Sequence, residues 1–189
     1  MTEDNPSSFD IPTEVDRYFD ASSMSNGTPP TIVMLVGGPA VGKTTTRHQR
    51  YSRGYVLCDA AEIFVSLSRG QYFDFPDAFE DTMNLIGNLV ARRAVDEWRH
   101  IVTELIGSDY SATKALIDAF LAIGYRTDIQ AITCDLAEAS RRNNNREDDC
   151  ISAYYAEPYQ RRWLLAAASF VQLSKRKDSK TIPDKNVSA

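Results

Sequence analysis

The 189-residue sequence predicts an α/β fold with a mainly parallel sheet flanked by helices. Three observations carry that expectation. Short apolar runs recur along the chain, helical patterns with a single apolar stripe lie between them, and the run at 31–36 has no polar face. Composition agrees, because 43% hydrophobic and 25% charged residues belong to a folded chain rather than a disordered one. The length suits one ordinary domain with modest extensions.

Residues 1–30 are polar, rich in Ser, Asp, Asn and Pro, and read as a leader or linker. Within them, Ile11, Val15 and Phe19 at a spacing of four predict a short helix around 12–19. Thr31-Ile32-Val33-Met34-Leu35-Val36, set between Pro-Pro and Gly-Gly, is expected as a strand buried on both faces. Similar runs place further strands at 55–58, 100–103 and 129–134. A long helix opens at Phe75-Pro76-Asp77 and runs to about Arg99, burying Phe79, Met83, Ile86, Leu89, Val90 and Ala94. Ser111 is expected to cap the next helix, with Ala115, Leu116, Ala119, Phe120 and Ile123 facing inward and Gly124 closing it. Two more helices cover about 136–144 and 157–177. The main domain then spans 31–174, and 175–189 reads as a basic, polar tail.

A formal net charge of −5 argues against a protein that coats nucleic acid. The three cysteines are too scattered for a disulfide framework or a zinc cluster. No apolar run approaches the ~20 residues that span a bilayer. The acidic start Met1-Thr2-Glu3-Asp4 lacks the basic and apolar regions of a secretory signal, so a cytoplasmic protein without membrane contact is expected.

The chemistry is announced after the first strand. Gly37-Gly38-Pro39-Ala40-Val41-Gly42-Lys43-Thr44-Thr45 satisfies G-x-x-x-x-G-K-[ST] between a buried strand and a helix. The glycines let backbone N–H groups converge on phosphate oxygens, and the helix that follows points its positive end at the same anion. Lys43 would reach the β- and γ-phosphates, and the Thr44 hydroxyl would ligate Mg²⁺. A nucleoside triphosphate is therefore the expected ligand. A basic cluster, Arg141, Arg142 and Arg146 followed by Arg161 and Arg162, would supply arginines that close over the triphosphate. Arg146 is the first choice, with Arg142 and Arg161 beside it; a solvated helix face paired with Glu138 and Glu147 is the plainer alternative.

Carboxylates at strand ends complete the expectation. Asp59 ends the second strand and Glu104 the third, each suited to accept a substrate proton, hold a metal or bind substrate. Asp59-Ala60-Ala61-Glu62 also reads as a capping box, which alone would explain both acids. Asp135, with Glu138 at the same spacing, reads as a helix cap.

So arranged, the sequence resembles the zeta toxin family of P-loop kinases over about residues 30–163. The resemblance rests on Gly37–Thr45 followed by Arg47, the run ending at Asp59, and the strand ending at Glu104. Gly124-Tyr125 before the strand at 128–134, and Arg146 with a second arginine near 161, complete it. It implies a P-loop NTPase/kinase-like three-layer fold, ATP as donor with Mg²⁺, and transfer to a hydroxyl of a small molecule of the UDP-N-acetylglucosamine type. It also implies an antitoxin partner that blocks the ATP site. In those terms Lys43, Asp59, Glu62 and Arg146 would be catalytic, Thr44 and Asp59 would hold the metal, and Glu104 and Asn88 would meet the acceptor.

The chain departs from the family in its acceptor half. The second aspartate of Asp-x-Asp is Ala61, leaving Asp59 and Glu62. Glu-Gly-Thr becomes Glu104-Leu105-Ile106, and a substrate-binding glutamate falls near Asn88, with Glu97 on the same helix. No fifth strand is evident after the arginine segment. Three functions are therefore expected in order: an ATP-dependent small-molecule kinase, an ATP-binding regulator with impaired catalysis acting through a partner, and a nucleic-acid 5′-hydroxyl kinase, which the acidic charge disfavours.

Overall fold

The computed structural model describes residues 9–25, 27–69, 77–145 and 153–179. In chain order the elements are α1 (Ile11–Arg17), β1 (Thr31–Val36), α2 (Lys43–Arg50), β2 (Val56–Leu57), α3 (Ala60–Leu67) and α4 (Asp77–Asp96). There follow β3 (Ile101–Leu105), α5 (Tyr110–Ile123), β4 (Arg126–Ala131), α6 (Leu136–Asn144) and α7 (Ala153–Ser179). The four strands form one all-parallel sheet in the order β2-β3-β1-β4. β1 sits inside, in register with β3 through Leu35↔Glu104 and with β4 through Leu35↔Gln130. The phosphate loop thus leaves the sheet between two neighbouring strand ends, where an open α/β sheet places its ligand.

Strand alternation divides the core. Ile32, Met34, Ile101 and Leu105 face a large cluster built with α1, α3, α4, α5 and α7. Val33, Leu35 and Val102 face a smaller one, completed by Tyr51, Tyr55 and Ile132. β1 keeps the expected bounds because its run is apolar on both faces and both faces are covered. The large cluster is centred where α4 meets α7. Trp163 is fully buried there, its Nε1–H donating to Asn84 Oδ1 at 3.1 Å. A Cβ at Gly87 would stand 2.3 Å from the Trp163 ring, so the close helix contact requires glycine.

Several expectations shift. β4 runs Arg126–Ala131 instead of 129–134. As an edge strand its residues are exposed or half-buried, so polar Arg126, Thr127 and Asp128 are admitted, while Ile132 turns to the smaller cluster. Asp109, not Ser111, caps α5, its Oδ1 accepting from Ala112 N at 2.9 Å. On that helix Leu116, Phe120 and Ile123 are buried as expected, but Ala115 is exposed. Leu89 of α4 is likewise exposed. Gly124 ends α5 at φ 97°, and Leu136–Asn144 is helical as expected. The expected opening of α4 at Phe75-Pro76 lies outside the described residues. Val15, Tyr18 and Phe19, from the segment read as a leader, are buried in the large cluster. Among the described residues no helix is long and apolar enough to cross a membrane.

Candidate functional site

The loop after β1 is shaped by glycine. A Cβ at Gly37 would lie 2.3 Å from the Ile132 carbonyl oxygen, and Gly42 takes φ 104° as the residue that opens α2. Ala40 also has positive φ, at 58°. No side chain caps α2, which leaves its first-turn N–H groups for an anion. Lys43 is buried, and its ammonium donates to the carbonyls of Gly37 (2.7 Å) and Gly38 (2.8 Å). The lysine that would reach a phosphate is thereby folded over its own loop.

Beside the loop is a cleft of about 740 Å³. Pro39 through Arg47 form one wall, and Arg142 and Ile132 lie beside it. The facing wall comes from the β2 end and α3 (Asp59, Ala61, Glu62, Val65), the β3 end (Glu104) and α7 (Ala156, Gln160). The volume suits a small-molecule ligand.

The carboxylates at the strand ends are held by one guanidinium. Arg47 lies four residues beyond Lys43, one helical turn along α2, and is buried. Its Nε donates to Glu104 Oε1 at 2.7 Å and its Nη2 to Glu62 Oε1 at 2.6 Å. The other oxygen of Glu104 accepts from the Thr44 hydroxyl at 2.9 Å. Asp59 caps α3, its Oδ1 accepting from Ala61 N at 2.8 Å. The reciprocal half of the capping box is absent, because Glu62 turns to Arg47 instead. Burial, then the nearby Glu104 carboxylate, pushes Asp59 up to about 7 against the opposing pull of Arg47. Burial lowers the Arg47 value, but its carboxylate partners outweigh this and hold it above the usual one.

Gln160 of α7 joins the strand ends from above. Its Oε1 accepts from Ala60 N at 2.9 Å, and its Nε2 donates to the Glu104 carbonyl oxygen. Glu157, one turn earlier, accepts from the N–H groups of Ile106 (2.5 Å) and Gly107 (3.4 Å). Neither residue carries a local sequence signal, since these contacts reach back 50 to 100 residues. Arg47 had one: its spacing from Lys43 places it on the helix face toward the β3 end.

The structure brings Gly42, Lys43, Thr44, Thr45, Asp59, Glu62, Glu104 and Arg142 to this cleft. Arg142 Nε donates to Glu138 Oε1 at 2.6 Å, and hydrogen bonds from Arg141 and Arg142 lower Glu138 to about 2. Arg161 instead pairs with Glu157 at 3.2 Å and does not line the cleft. Asn88 is exposed on α4, donating to the Asn84 carbonyl, and is also outside it. Arg146 lies outside the described residues. Asp135 caps α6 as expected, through the N–H groups of Ala137 and Glu138.

No protein-family model matches the sequence, and no curated protein matches it. Solved structures do match. One belongs to the PezAT chromosomal toxin-antitoxin system of the human pathogen Streptococcus pneumoniae, with TM-score 0.53 and 12% identity over 71% of this chain and 59% of that one. Another, from the Pnkp1/Rnl/Hen1 RNA repair complex, has TM-score 0.51 and 12% identity over 82% of this chain and 49% of that one. The chain therefore spans roughly half of the proteins it resembles. At that identity the likeness is one of fold alone, a parallel α/β sheet flanked by helices.

Proposed function

We propose that the chain is an ATP-dependent phosphotransferase that moves the γ-phosphoryl group of ATP to a hydroxyl of a small molecule. One observation carries the reading: the phosphate loop and three carboxylates on separate strand ends and helices line the same cleft. The loop amides and Lys43 would bind the triphosphate, with Lys43 exchanging two carbonyl partners for phosphate oxygens. Arg142 would add charge from the open side. Asp59 is suited to take the acceptor proton, because a carboxylate near 7 is half ionised at neutral pH and is matched to that task. Transfer is then expected to rise with pH through that value.

Mg²⁺ fits the donor set. Thr44 offers a hydroxyl and Glu104, bonded to it at 2.9 Å, a carboxylate, both hard oxygens of the kind that cation takes together with phosphates. Among the described residues no group of three or more His, Cys, Asp or Glu could hold a metal alone. When bound, it supplies neutralisation of the charge on the transferring phosphoryl group. Arg47 would keep Glu104 oriented toward Thr44 in readiness.

The second reading is an ATP-binding regulator acting through a protein partner of antitoxin kind. Ala61 at the second acidic position favours it, and so does the origin of one structural neighbour in a toxin-antitoxin system. Mg²⁺-dependent ATP turnover separates the two. The kinase reading expects slow turnover that Lys43→Ala abolishes, whereas ATP binding with no turnover supports the regulator.

A further inference from the structure

Resting on the phosphotransferase reading, we infer that Gln160 is a positioning residue whose side-chain amide, inserted into the β2–β3 ladder, holds Asp59 and Glu104 apart for the reaction. The hydrogen-bond series of the two strands shows where the insertion falls. Val56 N donates to the His100 carbonyl at 2.8 Å, and Cys58 N donates to the Val102 carbonyl at 3.0 Å. Each rung advances both strands by two residues, so the next would join Ala60 N to the Glu104 carbonyl. In its place, Gln160 Oε1 accepts from Ala60 N at 2.9 Å and Gln160 Nε2 donates to the Glu104 carbonyl. One amide thus stands where a direct bond would, satisfying both of the backbone groups that it separates.

A primary amide is what this gap requires, since one neighbour offers a donor and the other an acceptor. An ionised carboxylate could take only the first bond, and an apolar side chain neither. A direct rung keeps paired strands about 4.8 Å apart, and an interposed amide demands more. The spacer is itself held firmly. Gln160 is 1% exposed, and Trp163, three residues on, is wholly buried against α4. Glu157, three residues back, accepts from Ile106 N and Gly107 N, so α7 grips the β3 end on both sides of the spacer's own bond. β3 stays in register with β1 as far as Leu105, which makes the β2 end the one that leaves the ladder.

The two backbone groups belong to the strand ends that carry the acids. Ala60 follows Asp59, the group proposed to take the acceptor proton, and the carbonyl is that of Glu104, which meets Thr44. Both acids and Gln160 line the cleft. Closing the strands by one rung would crowd the carboxylates and displace a hydroxyl seated between them. The loop and Lys43 are carried by β1 and α2 instead, so the spacer governs turnover and leaves ATP binding alone.

The test uses the full chain with Mg²⁺ and γ-labelled ATP, reading phosphate release together with hydrogen exchange at the Ala60 amide. Gln160→Ala removes the spacer and lets Ala60 N reach the Glu104 carbonyl directly, whereas Gln160→Leu keeps the bulk and withdraws both bonds. In each, kcat is expected to fall about tenfold or more, with KM for ATP within about threefold of wild type. The Ala60 amide should stay protected in Gln160→Ala, whose ladder closes, and exchange about tenfold faster or more in Gln160→Leu. Gln160→Ala leaves neither backbone group unpaired, so it tests the role even where Gln160→Leu does not fold. Gly87→Ala strains the same helix pair away from the strand ends and should keep kcat within about twofold at a similar loss of Tm. The inference is overturned if Gln160→Ala turns over ATP as wild type does, if its loss is no greater than that of Gly87→Ala, or if KM carries the loss. Exchange at Ala60 in Gln160→Leu equal to wild type would overturn it too. Turnover in wild type that Lys43→Ala leaves unchanged would overturn the phosphotransferase reading and the positioning role with it, while exchange at Ala60 would still judge the spacer.

Discussion

Asp59→Asn is expected to stabilise the protein while disabling it. The carboxylate is buried, and ionising it in place is costly, which is why it is pushed from 3.8 to about 7. The displacement is about three pH units, and at ~1.4 kcal/mol each it sets an upper bound of about 4 kcal/mol. The sign follows from a folded value above the unfolded one. The stability that the neutral form contributes is whole below pH 3.8 and is lost as pH rises through about 7. Asparagine never ionises, and its side-chain oxygen keeps the cap on Ala61 N. The variant's advantage should therefore grow with pH, from about 2 kcal/mol at pH 5.5 to at most about 4 kcal/mol above pH 7.5. For a chain of this size the larger figure raises Tm by up to about 8–16 °C. Urea unfolding of both proteins at several pH values measures the difference directly, while labelled ATP should show transfer reduced by ~10²–10⁴-fold. A gain independent of pH, or a variant less stable than wild type at pH 8, would refute the claim that Asp59 carries a burial penalty kept for chemistry.

Other perturbations follow from the same contacts. Arg47→Ala strands Glu104 and Glu62 and should cost about 3 kcal/mol, read by chemical denaturation; a loss below ~1 kcal/mol would deny the guanidinium its central place. Gly87→Ala drives a methyl into the Trp163 ring and should cost ~1–3 kcal/mol, lowering Tm by several degrees without changing ATP affinity. Ala61→Asp returns an acid to the first turn of α3 beside the cleft, where the helix end favours it. It should raise phosphoryl transfer by ~10-fold or more on an acceptor already established, if a second acid is what limits the rate.

The shape of the loop after β1 is legible because its pattern is written in consecutive residues. A strand apolar on both faces, a glycine-bearing turn and a lysine opening a helix need no information from elsewhere in the chain. Asp59 and Glu104 were readable for a related reason, as polar residues that end apolar runs. The capping-box pattern at Asp59–Glu62 was half true, since local spacing cannot reveal that a buried arginine competes for the glutamate. Local pattern also misjudged β4, where an edge position tolerates polar residues that a central strand would refuse. Asn88 is expected from the resemblance and Arg161 from the basic cluster, but packing turns the first to solvent and gives the second to Glu157. Gln160 and Glu157 were illegible, because their partners lie some 50 to 100 residues away.

That last separation bears on how the protein is made. Gln160 ties the start of α3 to the end of β3 with a single amide, and the two contacts reach back 100 and 56 residues. A ribosome delivers the loop after β1 early, so a nascent chain possesses every glycine of that loop long before the far wall exists. Until α7 has emerged and docked, Asp59 and Glu104 lack the brace that fixes their spacing. On the proposed function, competence arrives with α7, and a growing chain stays idle while its loop motif is already complete.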